Sequence, residues 1–321
     1  MKHNYPNDKY KKVKDSYLLM EFESFIDPVY SANECNEFMA LALAELADHL
    51  QSTILAASTP FLLIRQAVVA SRFQAIHSAE RIRAINPHDV IENGPYQGLS
   101  VEANNQALQA AQAKLAAELA DENGQKAIYG QIRSELLQGL DDAEAALAAQ
   151  ELLNQGAVGA WTAFEVFAKS VAKSVVNSQP AKGLTLIKSD FTKSYFGGKG
   201  AIPVEILEEH QFDLTTSMGD AIFRSTKLDS LPAIRAVFEI LFPKSSEISH
   251  ALKNRQLWML NQRRHLIVHK RGIIDRHYLE NTEDNFSLGE RLRIQGGTLH
   301  NYLNMVRDLA LTIANADQAR V

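Results

Sequence analysis

The stretch RRHLIVHKRGIID, residues 263–275, decides how this chain is read. It sets Arg263, Arg264, Lys270 and Arg271 with His265 and His269 around the apolar trio Leu266-Ile267-Val268, in a chain of formal net charge −5. On a helix turning ~100° per residue from Arg264, His265 falls at ~100°, His269 at ~140° and Asn261 at ~60°. Met259, Leu260, Leu266 and Ile267 gather in the opposite arc, at ~200–320°. The spacing therefore predicts a helix that buries one face in a bundle and presents Asn261, Arg264, His265 and His269 on the other. Arg263 projects into the apolar arc, and its stem is expected to snorkel out to solvent. Gly272 is the expected end of the helix.

Such a face suits phosphate chemistry. Arginine keeps its charge and offers a planar fork that matches a phosphate, both in the ground state and as charge builds up. Histidine titrates near neutrality, so two imidazoles, or one shared across a dimer, can move protons during phosphodiester cleavage. With RNA, an activated 2′-hydroxyl attacks the adjacent phosphate and leaves a 2′,3′-cyclic phosphate without a metal. From Lys253 to His277 the chain holds Lys253, Arg255, Arg263, Arg264, Lys270, Arg271 and Arg276 against a single acid, Asp275. That is a local basic patch of the kind nucleic-acid binding needs.

Arg264-His265-x-x-x-His269 resembles the R-x(4–6)-H signature of HEPN domains, all-α bundles in which Arg, a following polar residue and His share one helix. The continuation KRGIIDRHYL (270–279), then GERLRI (289–294) and a last helix, resembles the larger HEPN variants related to the RiboL-PSP group. The resemblance spans residues 145–321 and is strongest over 255–295. It implies a metal-independent endoribonuclease without a cofactor, an RNA substrate, and a homodimer with two motif helices facing each other. It also implies a bacterial toxin, abortive-infection or antiphage setting, in which a cognate antitoxin or regulator is a further partner. Carried over, Arg264 stabilises phosphate charge and His269 transfers protons. His265 fills a position where asparagine is commoner, and its role stays open between orienting the arginine or phosphate and moving protons. Asn261, Arg263, Lys270 and Arg271 are candidate substrate contacts. Arg263 also meets the looser spacing, so which arginine faces the site stays open. Glu165, on an earlier aromatic helix, is a candidate acidic partner. Some HEPN domains bind without cutting, and a non-catalytic module that holds RNA or a protein by the same basic face is the alternative.

Working outward, the pattern is helical throughout and predicts an all-α protein. Residues 1–144 form a helical N-terminal region whose role the sequence does not give, and residues 145–321 the HEPN-like bundle. Helices are expected over Ser31–Ser58, with Ser31 and Glu34 as a capping box, and over Phe61–Ile85. A connection is expected over 86–100, then two helices over Val101–Gly139 hinged near Asn123-Gly124. Asp141–Asn177 reads as one long helix or two abutting ones, with Trp161, Phe164, Phe167, Ala168 and Val171 on one stripe. An irregular stretch over Ser178–Pro203 leads to helices over Asp213–Lys227, Ser230–Phe242 and Ser246–Lys270. A short extended piece at Arg291–Ile294 precedes a last helix, Gly297–Asn315.

Composition bounds the rest. The apolar share of 46% and charged share of 22% are those of an ordinary globular chain. The negative net charge confines any nucleic-acid contact to a local patch. A single cysteine, Cys35, excludes an internal disulfide and a thiolate metal cage and suits the cytoplasm. The lysine-rich start lacks the apolar core of a secretion signal. The most apolar run, PFLLIRQAVVASRF, is broken by Arg65 and Arg72, so no membrane span is expected. His265 and His269 stand four apart, as metal ligands can, but Leu266 replaces the glutamate a zincin needs, and a third ligand would have to be Asp275 or His277. Glu247-x-x-His250 is half of a di-iron pattern. FGGKGA (196–201), with Lys193 just before it and Lys199 within it, lacks the G-x-x-x-x-G-K-S/T of a nucleotide loop.

Overall fold

A computed structural model describes residues 37–85, 99–197, 200–224, 226, 228–243 and 245–318. The predicted capping box at Ser31 and Glu34, Cys35, and most of the 86–100 connection lie outside these residues. Among the described residues the chain is all-α, with one isolated bridge, Ile273 to Arg291, in place of any sheet. The described residues form twelve α-helices: α1 (Glu37–Ala84), α2 (Val101–Ala120), α3 (Glu122–Gly139), α4 (Ala143–Ser178), α5 (Pro180–Lys188), α6 (Val204–Glu209), α7 (Met218–Phe223), α8 (Leu231–Leu241), α9 (Ser246–Leu252), α10 (Arg255–Lys270), α11 (Arg276–Thr282) and α12 (Gly296–Gln318). A 3-10 turn, Lys193–Phe196, follows α5.

The described residues group into two compact units, 58–85 with 99–149, and 37–57 with 150–318. The expected division at 144/145 thus meets an observed boundary at 149/150, but residues 37–57 belong with the C-terminal unit. Close approach explains the difference. A Cβ on Gly156 of α4 would lie 2.6 Å from Leu299 of α12 and 3.5 Å from Ala57 of α1, and one on Gly159 would lie 2.6 Å from Thr53. Only glycine lets these helices pack so tightly.

In the first unit, Val68, Ile128 and Ile132 are buried, with Phe61, Ile64 and Val69 packed against them. Helices α2 and α3 break at Asp121, two residues before the expected hinge. Asp121 closes α2 through its N–H to the Ala117 carbonyl and caps α3 by accepting from the Gly124 N–H.

The second unit is built on α4, whose Trp161, Phe164, Phe167, Ala168 and Val171 are all buried as the stripe predicted. Helix α12 contributes Leu299, Tyr302, Leu303 and Val306, and α8 contributes Leu231, Ile234, Val237 and Phe238. The extended piece 291–294 docks through two buried amides of α4. Gln150 Nε2 donates to the Ile294 carbonyl at 2.8 Å, and Asn154 Oδ1 accepts from the Ile294 N–H at 3.1 Å.

Several expected boundaries move. The described parts of the two expected helices, residues 37–58 and 61–84, belong to one 48-residue helix that carries Pro60 in its interior. Proline forfeits one backbone bond there, and the flanking turns carry the helix through. In that unbroken helix, an 18-residue stretch is long and apolar enough to cross a membrane by length and composition alone, and 22% of it is buried. Arg65 and Arg72 therefore do not rule out such a span as expected; core helices of soluble proteins pass the same test. Ser246–Lys270 is two helices, because Asn254 leaves helical geometry and accepts from the Gln256 N–H to begin α10. The stretch Ser178–Pro203, expected to be irregular, holds α5, which starts with Pro180 at a position where proline fits a helix. Asp213–Lys227 shortens to α7, and α6 forms before it; Lys227 itself is outside the described residues.

A cationic and imidazole face on helix α10

Helix α10 buries Met259, Leu260, Leu266 and Ile267, the arc predicted to face the core, and also Leu257 and Asn261, which lie outside that arc. It ends on Arg271 and Gly272, both left-handed at φ 52° and 73°. The Gly272 N–H reaches back to the Leu266 carbonyl at 3.0 Å, so the stop lies where glycine predicted it, with an arginine sharing the strained turn. The chain then runs through the Ile273–Arg291 bridge and turns into α11, capped by Asp275, whose carboxylate accepts from the Tyr278 N–H at 2.8 Å.

The two arginines separate. Arg263 does not snorkel. Its Nε donates to the Tyr278 hydroxyl at 3.3 Å, Nη1 to the Tyr302 hydroxyl at 2.9 Å, and Nη2 to Asp284 at 3.0 Å. The Tyr278 hydroxyl also donates to Asp284, at 2.5 Å. Burial works against the guanidinium's charge, but the two phenols and Asp284 outweigh it and hold its pKa above the ordinary value. Burial, with the bond to Asp284, likewise pushes the Tyr278 phenol up. This closed network ties α10, α11 and α12 together. Arg263 is thus a structural residue, and its expected role as a substrate contact is withdrawn because all three nitrogens are engaged inside the fold.

Arg264 turns the other way, toward α4. Its Nη2 lies 3.8 Å from Glu165 Oε2, with both side chains about one-quarter exposed (21% and 27%). Glu165 Oε2 also accepts from the Trp161 indole N–H at 3.1 Å. Two influences oppose each other at this carboxylate. Burial raises its pKa and Asp229 adds to the rise, whereas Arg264, Trp161 and Lys169 lower it; burial prevails and the net shift is upward. The long ion pair is therefore weak compensation for desolvation. The Arg264 Nε is buried and finds no hydrogen-bond partner among the described residues.

His265 and His269 are exposed on the same face, their ring centroids 4.6 Å apart and tilted at 47°. Burial depresses the His265 pKa, helped by His269, Arg264 and His277 and opposed by Asp275. Near neutral pH, His265 is thus held toward its uncharged form. Lys270 is exposed, 4.0 Å from Asp275, and Arg271 is exposed beside it. Asn261 is only 8% exposed, so it belongs to the buried edge of the face and not to its open part. Val268, which fits neither arc cleanly by spacing, is 48% exposed and lies on the open side.

The sequence reading brought Arg264, His265, His269 and Glu165 forward, and they lie together. What it missed is the pairing of Tyr278, Tyr302 and Asp284 with Arg263; Asp275 and His277, considered there only as a third metal ligand, come near enough to act on His265. No metal-capable group of three or more His, Cys, Asp or Glu occurs among the described residues. The face is open. Two grooves of the second unit lie elsewhere, one of about 630 Å³ along α1 and α4 beside His49, Thr53 and Gly159, another beside Arg235 and Phe242. Comparison of the chain with known protein families, characterised proteins and solved structures gave no significant match.

Proposed function

We propose that the chain is a metal-independent endoribonuclease of HEPN type, acting on RNA in the cytoplasm in a bacterial toxin or antiphage setting. The observation that carries this reading is the adjacency on α10 of the exposed His265–His269 ring pair and the Arg264 guanidinium, which lies 3.8 Å from Glu165 and whose charge reaches His265. An open face admits a polymer, and Lys270 and Arg271 extend its charge along the path a backbone would take.

In this reading, Arg264 binds the scissile phosphate and stabilises the charge that builds on its oxygens. Glu165, 3.8 Å from the guanidinium Nη2, orients the guanidinium. His269 takes the proton from the 2′-hydroxyl, whose oxygen attacks phosphorus; the bond to the 5′-oxygen breaks, leaving a 2′,3′-cyclic phosphate and a 5′-hydroxyl. His265, held uncharged, accepts hydrogen bonds and sets the ring of its neighbour. A homodimer would bring two such faces together, and a regulator would hold the face covered until needed.

The test incubates purified protein with RNA in chelator and assays the ends. Arg264→Ala and His269→Ala should abolish cleavage with the fold retained. Full activity in either variant removes the assignment. RNA binding by the wild type without cleavage under any activating condition would make the chain a binding module instead.

A further inference from the structure

The sequence of contacts along α11 shows how it lies on α10. At its start, Asp275 stands 4.0 Å from Lys270, near the C-terminal end of α10. In its first turn, Tyr278 meets Arg263. At its end, the Thr282 carbonyl and Glu283 carboxylate meet Arg255, the first residue of α10, at 3.5 and 3.1 Å. The two helices therefore run antiparallel, with position 275 level with 270, 278 with 263, and 283 with 255. Position 277 falls between the first two levels, beside residues 265–269. Tyr278 is the buried neighbour at 2% exposure, whereas His277 is exposed, as His265 and His269 are.

We propose that His277 is the second proton-carrying residue of the site, giving its proton to the departing 5′-oxygen while His269 takes the proton of the 2′-hydroxyl. The inference rests on the ribonuclease reading and adds to it that each protomer holds its own acid and base. Bond by bond, the 2′-oxygen loses a proton to His269 and forms the bond to phosphorus. The bond from phosphorus to the 5′-oxygen breaks with its electron pair on oxygen, and that oxygen takes the proton of charged His277. The two imidazoles end with exchanged protonation and reset through water.

The surroundings of His277 suit a ring that changes protonation. The Asn281 amide nitrogen lies 3.2 Å from its Nδ1 and 3.4 Å from its Nε2, and donates to the His277 carbonyl at 2.7 Å. An amide carries a donor and an acceptor, so rotation lets it serve the neutral or the charged ring. His265 is the poorer donor, since burial and its neighbours His269, Arg264 and His277 depress its pKa.

The experiment compares wild type, His277→Gln and His269→Ala on a short RNA and on the same RNA with sulfur in place of the leaving 5′-oxygen. A thiolate leaves without a proton. For a general acid, His277→Gln slows cleavage of the native RNA by about 10²- to 10⁴-fold and leaves the sulfur substrate within about tenfold of wild type. His269→Ala should fail on both. Wild-type rates for His277→Gln on native RNA, or equal losses on both substrates, would overturn the role of His277 and leave the ribonuclease reading standing. A wild type that cuts neither substrate takes down the ribonuclease reading, and this inference with it. His277 is exposed, so the variant should melt with the wild type.

Discussion

Arg263 and Arg264 are neighbours of the same chemistry with different work. Arg263 closes a network with Tyr278, Tyr302 and Asp284, and its removal strands a carboxylate that is only 19% exposed. Arg263→Met should therefore cost roughly 2–4 kcal/mol, seen as a lower melting temperature, while cleavage per folded molecule persists. Arg264→Lys should melt near the wild type and lose about 10²-fold or more in rate, because an ammonium cannot present the planar fork. The reverse pattern would exchange the two roles. A third residue has a pH signature. The raised pKa of Glu165 means that it favours folding most below the unfolded carboxylate pKa, and that this contribution is lost as pH rises through the folded value. Glu165→Gln should therefore gain on the wild type between pH 4 and pH 7 in thermal melts, and a gap that does not change with pH would refute the desolvation account. Part of this was legible in the sequence. The helical spacing placed Met259, Leu260, Leu266 and Ile267 inside and the two histidines outside. The fate of Arg263 was not legible, since its partners lie 15, 21 and 39 residues away along the chain.

At the scale of elements, the amphipathic stripes on α4 and α10 indicated where those helices bury, because periodicity reports the buried face directly. Breaks were read less well. Two helices were expected around Pro60 where one runs through, and Asn254, a favoured cap residue, was passed over although its carboxamide oxygen accepts from the Gln256 N–H. Pro60→Ala restores the missing backbone donor inside α1 and should stabilise the protein by about 1–3 kcal/mol. An unchanged or lower melting temperature would show that proline is favoured there. Gly272 tests the end of α10. An added Cβ would meet Leu292 only at an ordinary 3.9 Å, so the cost of Gly272→Ala is the left-handed backbone, about 1–2 kcal/mol. A much larger loss would mean that the turn also carries packing strain.

For the whole molecule, the helical class and the C-terminal bundle followed from the sequence, but the membership of residues 37–57 did not. Gly156 and Gly159 look like poor helix residues in a sequence and act as contact points for a helix about a hundred residues earlier. Charge has a consequence at this scale as well. On the proposed reading, a chain of net charge −5 would hold RNA by a few cations, here Arg264, Lys270, Arg271 and Arg276. Three or four phosphate contacts to a single strand predict a slope of log K against log salt of about −2 to −3. A slope near zero would argue against this face as the RNA site. The most direct measurement is end analysis of RNA incubated in chelator with the wild type and with His269→Ala. The account predicts 2′,3′-cyclic phosphate and 5′-hydroxyl ends from the wild type and intact RNA from the variant. Equal cleavage by both proteins, or cleavage that requires added metal, would contradict it.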